Sequence, residues 1–166
     1  MDITPATADD AAGIARVHVR SWQVAYAGIL DPDYLQGLDP VKRTDRWREI
    51  LQQNESQTHV ARHQGVVAGF VSFGRCRDEG APPDRGEIWA IYTLPELWGQ
   101  GFGKALLQRS LEELAALGCN SVSLWVLSRN QRAIGFYESR GFKPVPDSQK
   151  MFELGGRQVE EVCLLR

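Results

Sequence analysis

Nowhere does this sequence hold an apolar run approaching the ~20 residues a helix needs to cross a bilayer, so a membrane-spanning protein is not expected. Excess positive charge is missing as well. Lys and Arg number 19 against 21 Asp and Glu, a net charge of −2 with a pI near 5.9, whereas a nucleic-acid binder normally has a pI above ~9. Cysteine is scarce: Cys76, Cys119 and Cys163 form an odd, widely spaced set with no CxxC pair, which excludes a disulfide framework. None of His18, His59 and His63 stands beside a Cys or carboxylate at ligand spacing, so no metal is expected. Repeats and low-complexity tracts are absent. The opening Met1-Asp2-Ile3-Thr4-Pro5 lacks the basic and apolar regions of a signal peptide, and a cytoplasmic location is expected.

What is present reads as an ordinary globular chain. The 166 residues, 43% hydrophobic and 24% charged, are enough for one domain with a sizeable core, and no boundary interrupts them. Asp2 to Thr4 reads as a short strand. Asp9 to Ala25 fits an amphipathic helix capped by Asp9, with Ile14, Val17 and His18 near one face. Gly28 to Pro40, with Asp-Pro at 31–32 and 39–40, reads as loop. A second helix over Val41 to Gln53 buries Trp47, Ile50 and Leu51. Two β-rich runs, Thr58 to Arg62 and Val66 to Phe73, flank the hairpin signal Gln64-Gly65. After an exposed loop, Arg77 to Gly86, come a strand at Glu87–Thr93, a helix at Gly101–Leu117 stopped by Gly118, and a strand at Ser121–Leu127. A helix at Asn130–Arg140 stopped by Gly141 follows, then short strands near Phe142–Val145 and Val159–Leu164. The order β-α-α-β-β-β-α-β-α-β-β predicts a mixed sheet with helices on both faces.

The most informative stretch is the strand from Glu87 that runs into Trp98-Gly99-Gln100-Gly101-Phe102-Gly103-Lys104 and opens a helix. Helix N-termini offer unpaired N–H groups and about half a positive charge to an anion. The spacing G-x-G-x-G differs from the dinucleotide fingerprint G-x-G-x-x-G, and Lys104 is followed by Ala105 rather than the Ser or Thr of a Walker A loop.

This turn resembles the acetyl-CoA motif Q/R-x-x-G-x-G/A of the GNAT superfamily of acetyl-CoA-dependent N-acetyltransferases, with Trp98 in place of the usual Gln or Arg. A second motif of that family, N-x-x-A-x-x-F-Y-x-x-x-G-F, is matched at every fixed position by Asn130, Ala133, Phe136, Tyr137, Gly141 and Phe142. Asn130 and Tyr137 lie two helical turns apart and share a face, while Phe136 reads as core. The two motifs cover Glu87 to Phe142; the helices before Gln53 match the family loosely.

The resemblance implies a single acetyltransferase domain, residues 1–166, with the family's mixed, mostly antiparallel sheet of six or seven strands. It also implies acetyl-CoA as co-substrate, with pyrophosphate contacts across Trp98, Gly99, Gln100, Gly101, Phe102, Gly103 and Lys104. The pantetheine arm would pair with Ile91, Tyr92 and Thr93, and Asn130 would anchor the same arm. Glu87 falls where some members carry a general base, and Tyr137 where members carry an acid for the CoA sulfur. An N–H in the Ile91–Tyr92 region would polarise the thioester carbonyl. Chemistry asks for these groups: an alkyl ammonium of pKa ~10 must lose a proton before it attacks, and a leaving thiolate benefits from gaining one. A covalent cysteine route is disfavoured, because Cys119 follows a helix C-terminus and Cys76 and Cys163, on expected strands, have no histidine nearby in sequence.

The acceptor expected is the primary amine of a small molecule, attacking directly in a ternary complex. Trp22, Tyr26 and Tyr34 are candidates to line its pocket, although ordinary helix packing is the slightly favoured reading of the first two. Arg43 and Arg46 read as solvated helix charges. A protein N-terminal or lysine acetyltransferase and a non-catalytic acyl-CoA sensor stand as alternatives. No nucleic acid or membrane partner is expected, and a homodimer stays open.

Overall fold

The computed structural model describes residues 2–53 and 56–166. Eight strands and five helices follow in the order β1 (Asp2–Pro5), α1 (Ala11–Ala25), α2 (Pro32–Gln36), α3 (Pro40–Gln53), β2 (Gln57–His63), β3 (Val66–Arg75), β4 (Arg85–Thr93), α4 (Phe102–Ala116), β5 (Ser121–Leu127), α5 (Gln131–Glu138), β6 (Lys143–Pro144), β7 (Lys150–Leu154) and β8 (Arg157–Leu165). The strands form one sheet in the order β1-β2-β3-β4-β5-β8-β6, with β7 paired to β8. β4 and β5 pair in parallel and the other pairs are antiparallel. This is the expected mixed α/β architecture with one strand more. No helix among the described residues is long and apolar enough to cross a membrane.

The extra strand has a visible signal. Gly155 and Gly156 both adopt positive φ, at 59° and 74°, the backbone of a two-residue primed hairpin turn that glycine enters without strain. Lys150–Leu154 pairs back across it onto β8. The expected loop at 28–40 holds α2, because Asp-Pro is also an N-cap followed by a first helical residue. The Asp31 side chain accepts from the N–H groups of Asp33 and Tyr34. Asp39 does the same for Val41 at the start of α3. At α1 the N-cap residue is Asp10 rather than Asp9, and its carboxylate bonds backward instead of to the helix. Asp10 accepts from the Thr7 N–H at 3.0 Å and pairs with Arg62 at 2.6 Å, tying the helix entry to β2. Further on, α5 stops at Glu138, two residues short of expectation, and Cys76 lies just past β3.

The sheet separates two apolar layers. Below it, α1 and Trp47 of α3 pack on Val60, Val67 and Phe70. Above it, Phe102, Leu106, Leu107 and Leu114 of α4 and Tyr137 of α5 pack on Val71, Phe73, Ile88, Leu124 and Leu164. β3 is buried on both sides from Val67 to Phe73, which is why it reads as a continuous apolar run rather than an alternating one.

In the lower layer His18 sits among Trp22, Trp47, Phe70 and Tyr92. Its Nδ1 accepts from the Trp47 indole N–H at 3.2 Å. Burial, reinforced by the nearby Arg43 cation, lowers its pKa to about 3. The native state therefore keeps His18 neutral while the unfolded chain takes up a proton near pH 6.5. Its contribution to stability is complete above pH 6.5 and is lost as pH falls toward 3. Between pH 6.5 and 4.5 this linkage costs about 2–3 kcal/mol, at ~1.4 kcal/mol per pH unit. Urea unfolding at both pH values should show a smaller loss, by about 2 kcal/mol, for His18→Gln, which retains an acceptor for Trp47. Equal losses in both proteins would show that His18 does not drive acid sensitivity.

Candidate functional site

Four residue pairs, from Arg85 opposite Ser121 to Ile88 opposite Leu124, hold β4 to β5, and then the pairing ends. β4 runs on to Thr93 and β5 to Leu127 without rejoining. The register between β3 and β4 shows why: Phe73 faces Ile88 and Ser72 faces Ala90, leaving Trp89 as the extra residue of a bulge, and a bulge bends its strand and raises the twist. Between the parted strands lies a cleft of about 880 Å³ that reaches from the Trp98 turn to the β7–β8 hairpin.

Alternation along β4 decides which main-chain groups face the cleft. The Leu94 N–H donates to Ala68 of β3, so the main-chain groups of Tyr92, two residues earlier, turn the same way. Those of Ile91 and Thr93 turn toward the gap. The Thr93 carbonyl is taken there, accepting from Ser21 Oγ at 2.8 Å and from Trp98 Nε1 at 3.2 Å. Ile91 is thus the residue whose N–H and C=O stand free of β5, and Tyr92 contributes its side chain instead.

At the turn, Gly101 takes φ 90° as the N-cap of α4, a left-handed conformation that residues with a Cβ resist. The first helical bond runs from Ala105 N–H to Gly101 C=O at 3.0 Å, so the N–H groups of Phe102, Gly103 and Lys104 have no partner within the helix. Trp98, Gly99, Gly101, Gly103 and Lys104 line the cleft. The side chains of two expected contacts point elsewhere. Phe102 is buried in the upper core and meets His63 edge-on, and the Gln100 amide donates to the Glu96 carbonyl. Phe102 keeps an unpartnered main-chain N–H in the turn, whereas that of Gln100 donates to the Leu97 carbonyl at 3.2 Å. Trp98, besides reaching Thr93, carries the Arg132 guanidinium 3.7 Å from its ring centre. A cation from α5 therefore stands beside the motif position that lacks one.

On α5, Asn130 is the N-cap, and its side-chain oxygen accepts from the Ala133 N–H at 3.2 Å. Tyr137 is 8% exposed, packed between Phe136 and Phe142, and lines the cleft. Its ring is core, yet its hydroxyl has no hydrogen bond to another described residue. Burial, with a smaller contribution from Tyr92, pushes the phenol well above its ordinary value, so it stays protonated.

The other end of the cleft is charged. Glu87, expected near a strand end, is 2% exposed and gripped by one residue: Arg77 donates from its main-chain N–H at 2.9 Å and from Nε at 3.2 Å to Oε2, and from Nη2 to Oε1. Arg77 also covers the Trp89 ring. Asp78 pairs with Lys150 at 3.1 Å and accepts from Trp125 Nε1 at 3.0 Å. Glu161 of β8 completes the lining.

Trp22 of α1 and Tyr26 just past its end line the cleft, where the Tyr26 hydroxyl meets that of Tyr92 at 3.1 Å. Tyr34 does not. α2 carries it to the β7–β8 turn, where it packs so closely that a Cβ on Gly155 would overlap its ring. Arg46 is solvent-exposed and pairs with Glu49, while Arg43 lies 5.5 Å above the Trp22 ring. No cysteine lines the cleft, and burial raises the Cys163 thiol to about 11. Sequence reasoning missed Arg77, Arg132, Lys150 and Glu161. A glutamate alternating in phase with Val159 and Cys163 along one strand was a signal for Glu161; Arg132 occupies an unspecified motif position and gave none.

Residues 17–142 match the model of the acetyltransferase (GNAT) family. An uncharacterized N-acetyltransferase of Bacillus subtilis, YuaI, is 36% identical over 163 residues, covering 98% of this chain and 90% of its own. The solved structure of yncA from Salmonella typhimurium with its cofactor acetyl-CoA superposes with a TM-score of 0.73 at 25% identity, over 100% of this chain and 92% of that one. A ribosomal-protein-alanine N-acetyltransferase of Brucella melitensis shares the fold, with a TM-score of 0.78 at 19% identity over 100% and 99% of the two chains. The motifs, the parted parallel strands and these likenesses agree: the chain is an acyltransferase enzyme and belongs to the acetyltransferase (GNAT) family.

Proposed function

We propose that this chain forms a single N-acetyltransferase domain that transfers acetyl from acetyl-CoA to the primary amine of a small molecule, by direct attack in a ternary complex. The observation that carries the reading is the continuous path from the free main-chain groups of Ile91 to the N-terminus of α4. The residues fit the co-substrate. An extended pantetheine arm is a strand-like partner for Ile91 and for the Thr93 N–H. Its pyrophosphate matches the N–H groups of Gly99 and of Gly101 to Lys104, with Arg132 and Lys104 supplying positive charge. Asn130 holds the α5 terminus that faces the arm.

Bound acetyl-CoA supplies an activated acetyl thioester, and the rest is the work of this chain. The Ile91 N–H donates to the carbonyl oxygen on which charge develops. Tyr137, protonated and without a partner of its own, donates to the departing sulfur. Glu87 takes the proton of the amine. Arg77 fills three of the roughly four acceptor positions of its carboxylate, so the remaining one acts through a water. Trp22 and Tyr26 on one side and Phe152 and Leu154 on the other wall the acceptor end, which supports a small acceptor.

The motif accepts Ala at the position of Gly103, and a Cβ there would stand 3.5 Å from Phe136, an ordinary contact; a carboxylate suits the first turn of a helix but opposes an anionic ligand, so Gly103→Glu should keep its melting temperature while weakening acetyl-CoA binding about tenfold or more by calorimetry. Unchanged affinity would remove the turn from the binding site. Tyr137→Phe retains the ring packing and should slow the single-turnover rate with acetyl-CoA affinity preserved; a rate equal to wild type would make Tyr137 a packing residue. Glu87→Gln should reduce kcat by roughly 10²–10⁴-fold at neutral pH and by less at high pH, where free amine is abundant. A loss that stays constant across the pH range would mark Glu87 as a partner of Arg77 alone.

A further inference from the structure

We propose that Glu161 is a specificity-determining residue that receives the ammonium of the acceptor, and that the site selects amines carrying no anionic group beside that ammonium. The proposal rests on the acetyl-transfer reading above and concerns the end of the cleft remote from the Trp98 turn.

Five charged side chains line this end: Arg77, Asp78, Glu87, Lys150 and Glu161. Arg77 is committed to Glu87 and Lys150 to Asp78. Glu161 is left over, with no ion pair and no side-chain hydrogen bond to a described residue. This is unexpected from its position. Lys150 stands directly opposite Glu161 in the β7–β8 ladder, the geometry in which opposite charges on one face normally pair. Lys150 turns away instead, lying 3.5 Å from the Trp125 ring centre with its ammonium on Asp78. Leu127 flanks Glu161 on the other side. The result is a half-buried carboxylate facing a cleft with its acceptor positions unused.

The surroundings make that carboxylate a cation receptor. Burial raises its pKa; Lys150 and Arg77 oppose the rise, and Asp78 and Glu87 add to it. An ammonium relieves both the desolvation and the repulsion. An acceptor with a carboxylate beside its amine would bring a second anion toward Asp78, Glu87 and Glu161 while the two cations there are already engaged. Phe152 and Tyr26 add aromatic surface suited to a flat apolar body, while the Trp89 and Trp125 rings are already covered by Arg77 and Lys150. The cleft is thus polarised: Lys104 and Arg132 face the anionic co-substrate at one end, and one unpaired carboxylate awaits the cationic acceptor at the other.

The test pairs amines with their carboxylated counterparts, namely tryptamine with tryptophan, phenethylamine with phenylalanine and butane-1,4-diamine with ornithine. Thiol release from acetyl-CoA is followed for wild type and Glu161→Gln, with thermal melts to confirm folding. At least one simple amine should be used with kcat/KM tenfold or more above its counterpart. Glu161→Gln should raise the KM for that amine about tenfold to a hundredfold, the loss of a hydrogen bond between charged groups, while the KM for acetyl-CoA stays within about twofold and kcat falls far less than in Glu87→Gln. Carboxylated acceptors used equally well, turnover of none of the simple amines, or an unchanged amine KM in Glu161→Gln would each overturn the assignment. Calorimetry with acetyl-CoA separates the two readings: absence of binding by wild type refutes acetyl transfer itself, whereas normal binding with any of those outcomes refutes the role of Glu161 alone.

Discussion

Everything at the site depends on two parallel strands that stay together for four residue pairs and then part. A sheet stabilises itself by pairing every main-chain N–H and C=O, and unpaired ones are costly when buried. The bulge at Trp89 breaks that rule in the middle of the sheet. It leaves the main-chain groups of Ile91 without a strand partner, and the proposed pantetheine arm would serve as the missing strand. The core on either side makes the break tolerable. Phe73, Ile88 and Leu124 hold the paired half from above, and Phe70 with His18 and Trp22 of α1 holds Tyr92 of β4 from below.

The same parting brings three separate chain segments to one cleft. α4 begins just after β4, so its unpaired N–H groups face the opening. α5 follows β5 and delivers Tyr137 and Arg132 to the opposite wall. The β7–β8 hairpin closes the far end with Lys150, Phe152 and Glu161. Trp98 links two of these segments, bonding to the end of β4 and carrying Arg132 from α5 on its ring. An aromatic ring at this motif position thereby recruits the cation that an arginine there would have carried itself.

Charge divides the cleft. Residues at the end proposed to take the acceptor are satisfied in pairs, Arg77 with Glu87 and Lys150 with Asp78. In the proposed role, a mostly neutralised frame around one unpaired carboxylate gives an incoming cation a single favourable place to go.

Much of this was legible in the residues themselves. The apolar periods of α1, α3 and α4, the Gln64-Gly65 hairpin, the glycine turn opening α4 and the Asn130–Phe142 motif are local patterns, and local patterns record the face each segment buries and the turn it makes. They were enough to place the chain in its family, to expect the mixed sheet, and to point to Trp98, Gly99, Gly101, Gly103, Lys104 and Tyr137 beside the cleft. Local chemistry also held signals that were read differently. Asp31-Pro32 marks a helix start, Asp10 rather than Asp9 caps α1, and Gly155-Gly156 makes a hairpin. Tertiary structure alone decided the remainder. Whether Glu87 is exposed depends on Arg77, ten residues away, folding back over it. Tyr34 was carried off to the β7–β8 turn by a helix that the loop conceals. Arg132 lies beside Trp98, 34 positions away in sequence, and Glu161 is unpaired because Lys150 prefers Asp78, 72 positions away. No local pattern encodes such distances. Ion pairs and stacking are made by side chains that meet only after the sheet has formed, and their partners are chosen by competition within that assembled space.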